Sequence, residues 1–166
     1  MAEPNRYLVA LGSNMRAAKH GAPRRVIAAA GEAMRNAGMT LLRMSEIVTT
    51  SPVGPSRRRY ANAAALVETE LAPLQMLSKL HDIESEFGRR RVGQDWRARP
   101  LDLDIALWSG GIWASDTLVI PHPLLRSRSF VLAPAMQIAP DWRDPLTGLT
   151  IRHLHARLTR PRPATR

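Results

Sequence analysis

Tyr7 to Leu11 is apolar at every position and closes on the turn cluster Gly12-Ser13-Asn14. A strand with one wet face alternates, whereas an unbroken apolar run asks for burial on both faces, so this segment reads as the central strand of a sheet. Such a strand needs a core around it, and 166 residues with 45% hydrophobic content are enough for one domain. From Pro23, a residue suited to the first helical turn, Val26, Ala29, Ala30, Ala33, Met34 and Ala37 recur at helical spacing up to Gly38. Leu41 to Thr49 is rich in aliphatic and β-branched residues. Tyr60 to Leu71 alternates, with Ala61, Ala63, Ala65, Val67, Thr69 and Leu71 on one face. Pro73 opens a second helix, whose Leu74, Leu77, Leu80, Ile83 and Phe87 are expected to face inward and which Gly88 ends. Leu101 to Leu107 alternates again.

The order is βαββαβ, so the expected fold class is α+β, a ferredoxin-like sandwich with helices over an antiparallel sheet. Beyond it come a short extended piece at Leu118 to Ile120 and helices at Ser129 to Ile138 and Thr150 to Leu158, expected to cover more of the sheet. Residues 1–158 thus read as a single domain and residues 159–166 as a basic tail expected to be disordered. No apolar stretch approaches the roughly 18 residues of a membrane span, and five apolar residues are too few for a secretory core. The absence of cysteine excludes disulfides, a thiol nucleophile and sulfur-ligated zinc. The expected setting is cytoplasmic.

A net charge of +10, carried by arginine except at Lys19 and Lys79, has two readings. It reflects codon usage alone, or an anionic partner: nucleic acid, a membrane surface or a polyphosphate. Arg57 to Arg59, Arg89 to Arg91, Arg97 and Arg99 all fall in segments that read as loops, and the guanidinium fork suits phosphate oxygens.

Asp102 and Asp104 lie two apart in an alternating strand, so both carboxylates share one face about 6.6 to 6.8 Å apart at Cα. A divalent cation carrying phosphates would relieve their repulsion; an exposed polar face of an edge strand is the plainer alternative. Tyr60 and Asn62 share the face opposite the alanines, an aromatic plate beside an amide with paired donor and acceptor, which suits a flat heterocycle or simply a buried tyrosine near a turn. His81 and Glu84 share a helical face that is either solvated or a weak metal pair. His122, between Pro121 and Pro123, is either a loop histidine or a phosphate contact. No Walker-type glycine loop is present.

These residues resemble a known family, the 6-hydroxymethyl-7,8-dihydropterin pyrophosphokinases of folate biosynthesis, over roughly residues 7–155. The resemblance is carried by Ala10 to Asn14, by Thr50 to Pro55 with Tyr60 to Ala63, and by Ile83-Glu84 with Gly88-Arg89. It continues through Arg99 with Leu101 to Asp104, Ile120 to Pro123, Arg128, Phe130 to Leu132 and Ile138 to Pro140. It implies transfer of pyrophosphate from ATP to the pterin hydroxymethyl group with release of AMP. Asp102 and Asp104 would ligate two Mg²⁺ ions and, with Arg89 and Arg99, carry catalysis. Tyr60, Phe130, Asn62, Trp96 and the segment with Thr50, Ser51 and Val53 would hold the pterin. His81, Glu84, Arg89, Arg91, Ile105, His122 and Arg128 would contact ATP, with the partners limited to small molecules and the protein a monomer. Residues 89–100 are expected to be mobile without ligand and to become ordered over bound ATP and pterin. The competing readings are a basic RNA-binding module, which the missing aromatic motif on the strands argues against, and a catalytically silent regulator on the same fold.

Overall fold

In the computed structural model, which describes residues 3–50, 59–88 and 100–164, the apolar run forms β1 (Asn5–Ser13) between two antiparallel partners. It is followed by α1 (Pro23–Asn36), β2 (Thr40–Met44), β3 (Val48–Thr50), β4 (Tyr60–Thr69), α2 (Pro73–Glu86) and β5 (Asp102–Trp108). The sheet runs β2-β4-β1-β5, with β3 also paired to β4, and every pairing is antiparallel. Each of the two helices connects strands that are next-but-one neighbours, and the intervening strand comes from the other unit. This is the expected βαββαβ path once β2 and β3 are taken as one interrupted strand. A hairpin of β6 (Trp113–Ala114) and β7 (Val119–Ile120), a 3₁₀ turn at Leu125–Ser127, α3 (Ser129–Ile138) and α4 (Ile151–Thr159) complete the chain.

The continuous apolar character of β1 is explained by cover on both faces. Tyr7, Val9 and Leu11, with Ala61, Ala63, Ala65, Leu103 and Ile105, meet Val26, Ile27 and Met34 of α1 and Met76, Leu80 and Ile83 of α2. Leu8, Ala64 and Ala106 face Val131, Leu132, Ala135 and Ile138 of α3 and Ile151 and Leu154 of α4. Leu8 and Leu11 are completely or almost completely buried; each such side chain contributes about 1.5 to 3 kcal/mol. The Tyr7 hydroxyl donates to the Leu71 carbonyl at 2.7 Å, and burial pushes its phenol up to about 12. That contact anchors the end of the sheet remote from Gly12. Among the described residues no helix is long and apolar enough to cross a bilayer.

Three expectations are corrected. Leu41 to Thr49 is two strands, because the β2–β4 register slips between Leu41 and Arg43 and the strand is then interrupted from Ser45 until pairing resumes at Val48. At the interruption the Ser45 N–H donates to the Ala64 carbonyl and the Ser45 hydroxyl accepts the Ala64 N–H, both at 2.9 Å, so contact with β4 is kept. In α2 the inward position belongs to Met76, and Leu74 is 44% exposed. At about 100° per residue Leu74 lies some 120° from Leu80, outside the buried arc. Finally, α4 extends to Thr159, and residues 160–164 are exposed without helix or strand.

Candidate active site

Register brings the chemistry-bearing side chains of three strands into rows. Gly12 of β1 is opposite Asn62 of β4 on one side and Asp102 of β5 on the other; one pleat further, Ala10 is opposite Ala64 and Asp104. Alternation puts all six on the sheet face that carries α3 and α4. Asn62 and the carboxylates therefore stand two strand spacings apart, about 10 Å at the backbone, across a floor made of glycine and alanine. Gly12 keeps that floor low: a Cβ there would lie 3.4 Å from Asn62 Oδ1. The side-chain amide is buried, and its Nδ2 donates to Thr50 Oγ1 at 3.3 Å from β3, which β4 pairs in register with Tyr60.

On the other bank, Asp104 is half exposed, and an imidazole and a guanidinium stand off from the same oxygen. His122 Nε2 and Arg128 Nη1 are each 4.0 Å from Oδ2, beyond hydrogen-bonding range. The His122 N–H donates to the Ala106 carbonyl at 3.0 Å, which seats this loop against β5. Its Nδ1 accepts the Leu124 N–H at 3.1 Å, so in the neutral ring the proton sits on Nε2, toward Asp104. Burial lowers the His122 pKa and Arg128 lowers it further, against the opposing pull of Asp104. Arg128 also lies over the Phe130 ring, 5.6 Å from its centroid, in a cation–π contact at the start of α3. Ala10, Ala106, Leu125 and Val131 line the depression below these groups.

The arrangement thus joins Thr50, Tyr60, Asn62, Asp102, Asp104, His122, Arg128 and Phe130 to one side of the sheet. Three residues expected to contact ATP have other surroundings. Ile105 is buried on the opposite face, among the apolar side chains under α1 and α2, which leaves its backbone for any ligand on the aspartate face. Glu84 is 2% exposed and accepts the Leu103 N–H at 2.9 Å, while His81 lies one turn earlier on α2, half-buried. Ser51, Val53, Arg89, Arg91, Trp96 and Arg99 lie outside the described residues, as does the proposed lid apart from Pro100.

The donor chemistry fits a hard cation. Two neighbouring carboxylates offer oxygen ligands only, and among the described residues no group of three or more His, Asp or Glu side chains gathers to complete a protein cage. Mg²⁺ is held in this way, by one or two carboxylates with substrate phosphates and water filling the octahedron.

The brace behind the site was not legible from motifs. Asp144 is fully buried in the loop before α4. Arg126 approaches its Oδ2 at 2.6 Å, the Thr147 hydroxyl donates to the same oxygen at 2.7 Å, and the Leu146 N–H donates to Oδ1 at 2.9 Å. Arg126 belongs to the 3₁₀ turn two residues before Arg128, so this pair ties that turn to the loop before α4. The only sequence sign was an aspartate followed by Leu146 and Thr147 at turn spacing.

A family model described as 7,8-dihydro-6-hydroxymethylpterin-pyrophosphokinase matches residues 8–140. A 2-amino-4-hydroxy-6-hydroxymethyldihydropteridine pyrophosphokinase of Pseudomonas aeruginosa is 39% identical over 142 residues, covering 84% of this chain and 84% of the relative. The enzyme of the same name from Synechocystis is 38% identical over 115 residues, 69% of this chain and 58% of that longer relative. Among solved structures, Plasmodium falciparum HPPK-DHPS superimposes with a TM-score of 0.70 at 14% identity, covering 93% of this chain and 45% of that one. At that identity the likeness is one of fold.

Proposed function

This chain belongs to the 7,8-dihydro-6-hydroxymethylpterin-pyrophosphokinase family, and we propose that it transfers pyrophosphate from ATP to 6-hydroxymethyl-7,8-dihydropterin across the trough between Asn62 and the Asp102–Asp104 pair. The observation that carries this reading is the register itself, which sets an amide and two carboxylates on facing banks of a floor of glycine and alanine. In the reaction a bond forms between the pterin's hydroxymethyl oxygen and the β-phosphorus, the bond from that phosphorus to the α-phosphate oxygen breaks, and AMP leaves. The hydroxyl proton passes to solvent or to a carboxylate. Bound at the aspartates, Mg²⁺ supplies charge neutralisation for the ATP phosphates; two ions suit two carboxylates.

The rest is positioning by the chain. Asn62, steadied by Thr50, reads the polar edge of the pterin, with Tyr60 and Phe130 as stacking surfaces. His122 offers an Nε2–H, and Arg128 a fork, to phosphate oxygens arriving beside Asp104. Displacement at phosphorus asks for alignment and charge compensation more than covalent catalysis, and these are the resources assembled here. The family assignment leaves the RNA-binding and silent-regulator readings without support.

Asn62→Ala is expected to weaken pterin binding by about 5- to 150-fold, since each polar group left unpaired in a buried contact costs about 1 to 3 kcal/mol. Nucleotide affinity should stay within about threefold. Calorimetry on the folded variant, with the pterin and with a non-hydrolysable ATP analogue in turn, checks this; equal losses for both ligands would argue against a dedicated pterin bank.

A further inference from the structure

β5 is the last strand of its sheet: β1 pairs one side, and among the described residues no strand pairs the other beside the aspartates. In an antiparallel ladder successive residues present their amides alternately to the partner and away from it. The Leu103 N–H is one that faces away, because it donates to Glu84 Oε1 at 2.9 Å, with both groups buried. Leu103 is the residue between the two carboxylates. A side chain from α2 therefore takes the place of a missing neighbouring strand at the one amide that separates Asp102 from Asp104.

The choice of residue is informative. Burying a carboxylate is costly, and an apolar side chain would fill the same space at less expense to stability. A carboxylate does give the strongest acceptor for a lone backbone N–H. Leu103 is packed on the α2 side with Ile105, while the aspartates emerge on the other face, so the position of the Leu103 amide sets the pleat from which both project. Ligand pairs depend on such supports: a lost partner behind a metal ligand typically lowers metal affinity or activity by about 10- to 100-fold.

We propose that Glu84 is a positioning residue for the metal pair, holding the open edge of β5 through the Leu103 amide so that Asp102 and Asp104 are presented together. The influence exerted through this contact reaches ATP indirectly, by way of the metal. The proposal rests on the reading of Asp102 and Asp104 as metal ligands.

Two conservative variants separate reach from charge. Glu84→Gln keeps the acceptor at full reach and removes the charge; Glu84→Asp keeps the charge and withdraws the acceptor by one methylene. Mn²⁺ is titrated by electron paramagnetic resonance into each protein with a non-hydrolysable ATP analogue, alongside hydrogen exchange at the Leu103 amide and analogue affinity without metal. Glu84→Gln should bind Mn²⁺ within about threefold of the parent with Leu103 still protected. Glu84→Asp should bind it about tenfold more weakly with faster exchange at Leu103, and metal-free analogue binding should be unchanged in both. The reverse order, or equal Mn²⁺ binding in all three proteins, overturns the proposal, as does loss of metal-free analogue binding in either variant. If Glu84→Asp does not fold, Glu84→Gln decides: a tenfold loss overturns it, and retained affinity with a protected Leu103 supports it. Failure of the ligand reading shows separately, as unaltered Mn²⁺ binding by Asp104→Asn in the same titration.

Discussion

Asp102→Asn and Asp104→Asn are each expected to lower turnover by about 10²- to 10³-fold while the protein stays folded, the scale of losing electrostatic stabilisation at a transferring group. The side chains are exposed and make no part of either apolar layer, so neither substitution removes packing. Two like charges one pleat apart also repel, and neutralising one should leave the melting temperature of the ligand-free protein unchanged or slightly higher. Asp104→Asn should be the more damaging, because it also strips the shared anion from His122 and Arg128. Steady-state turnover at saturating Mg²⁺, with thermal denaturation as the control for folding, checks all of this. Near-normal rates for both variants would remove the aspartates from the mechanism.

The largest expected effect on stability is at the brace behind α3. Arg126→Ala leaves the Asp144 carboxylate fully buried without its cation and should cost about 3 to 5 kcal/mol. For a chain of this size that is a fall of roughly 10 °C or more in melting temperature. Asp144→Ala should cost less, since the Arg126 side chain left behind is 31% exposed and can turn to water. Burial raises the Asp144 pKa, but the Leu146 amide, the Thr147 hydroxyl and Arg126 outweigh it, so the net shift is downward. A carboxyl held below its unfolded value stabilises the fold fully above that value, near pH 4. The contribution fades as the pH drops through the lower folded value. Parent and Asp144→Asn should therefore differ most above pH 4 and converge in acid. Denaturant midpoints between pH 2 and 7 test this, and a gap that widened on acidification would contradict the assignment.

Much of the fold was written in periodicity. The unbroken run at Tyr7 to Leu11 announced a strand covered on both sides, and the cover proved to be α1 and α2 on one face and α3 and α4 on the other. The alternation at Asp102 and Asp104 by itself places both carboxylates together, because a strand's period of two leaves little choice. What escaped was whatever depends on the third dimension. At the break after Met44 the Ser45 hydroxyl takes the Ala64 N–H in place of a strand carbonyl, and serine in a β-branched stretch gives no sign of it. Periodicity alone does not exclude Leu74 from the inward face of α2, whose arc is fixed by Leu80 and Phe87 together. Glu84 on a helix face gave no hint that its carboxylate ends at a strand edge nineteen residues on. The trough itself is a fact of register: Gly12, Ala10 and Ala64 carry no chemistry and matter only because Asn62 and the aspartates stand on either side of them.

The most direct test of the central claim is the identity and stoichiometry of the products. With ATP, 6-hydroxymethyl-7,8-dihydropterin and Mg²⁺, the parent protein should yield one AMP for each diphosphorylated pterin, resolved by chromatography and mass spectrometry. Omission of any one of the three should abolish both products, and Asp104→Asn should suppress both in equal proportion. Release of ADP, or of AMP at a rate indifferent to the pterin, would contradict the account.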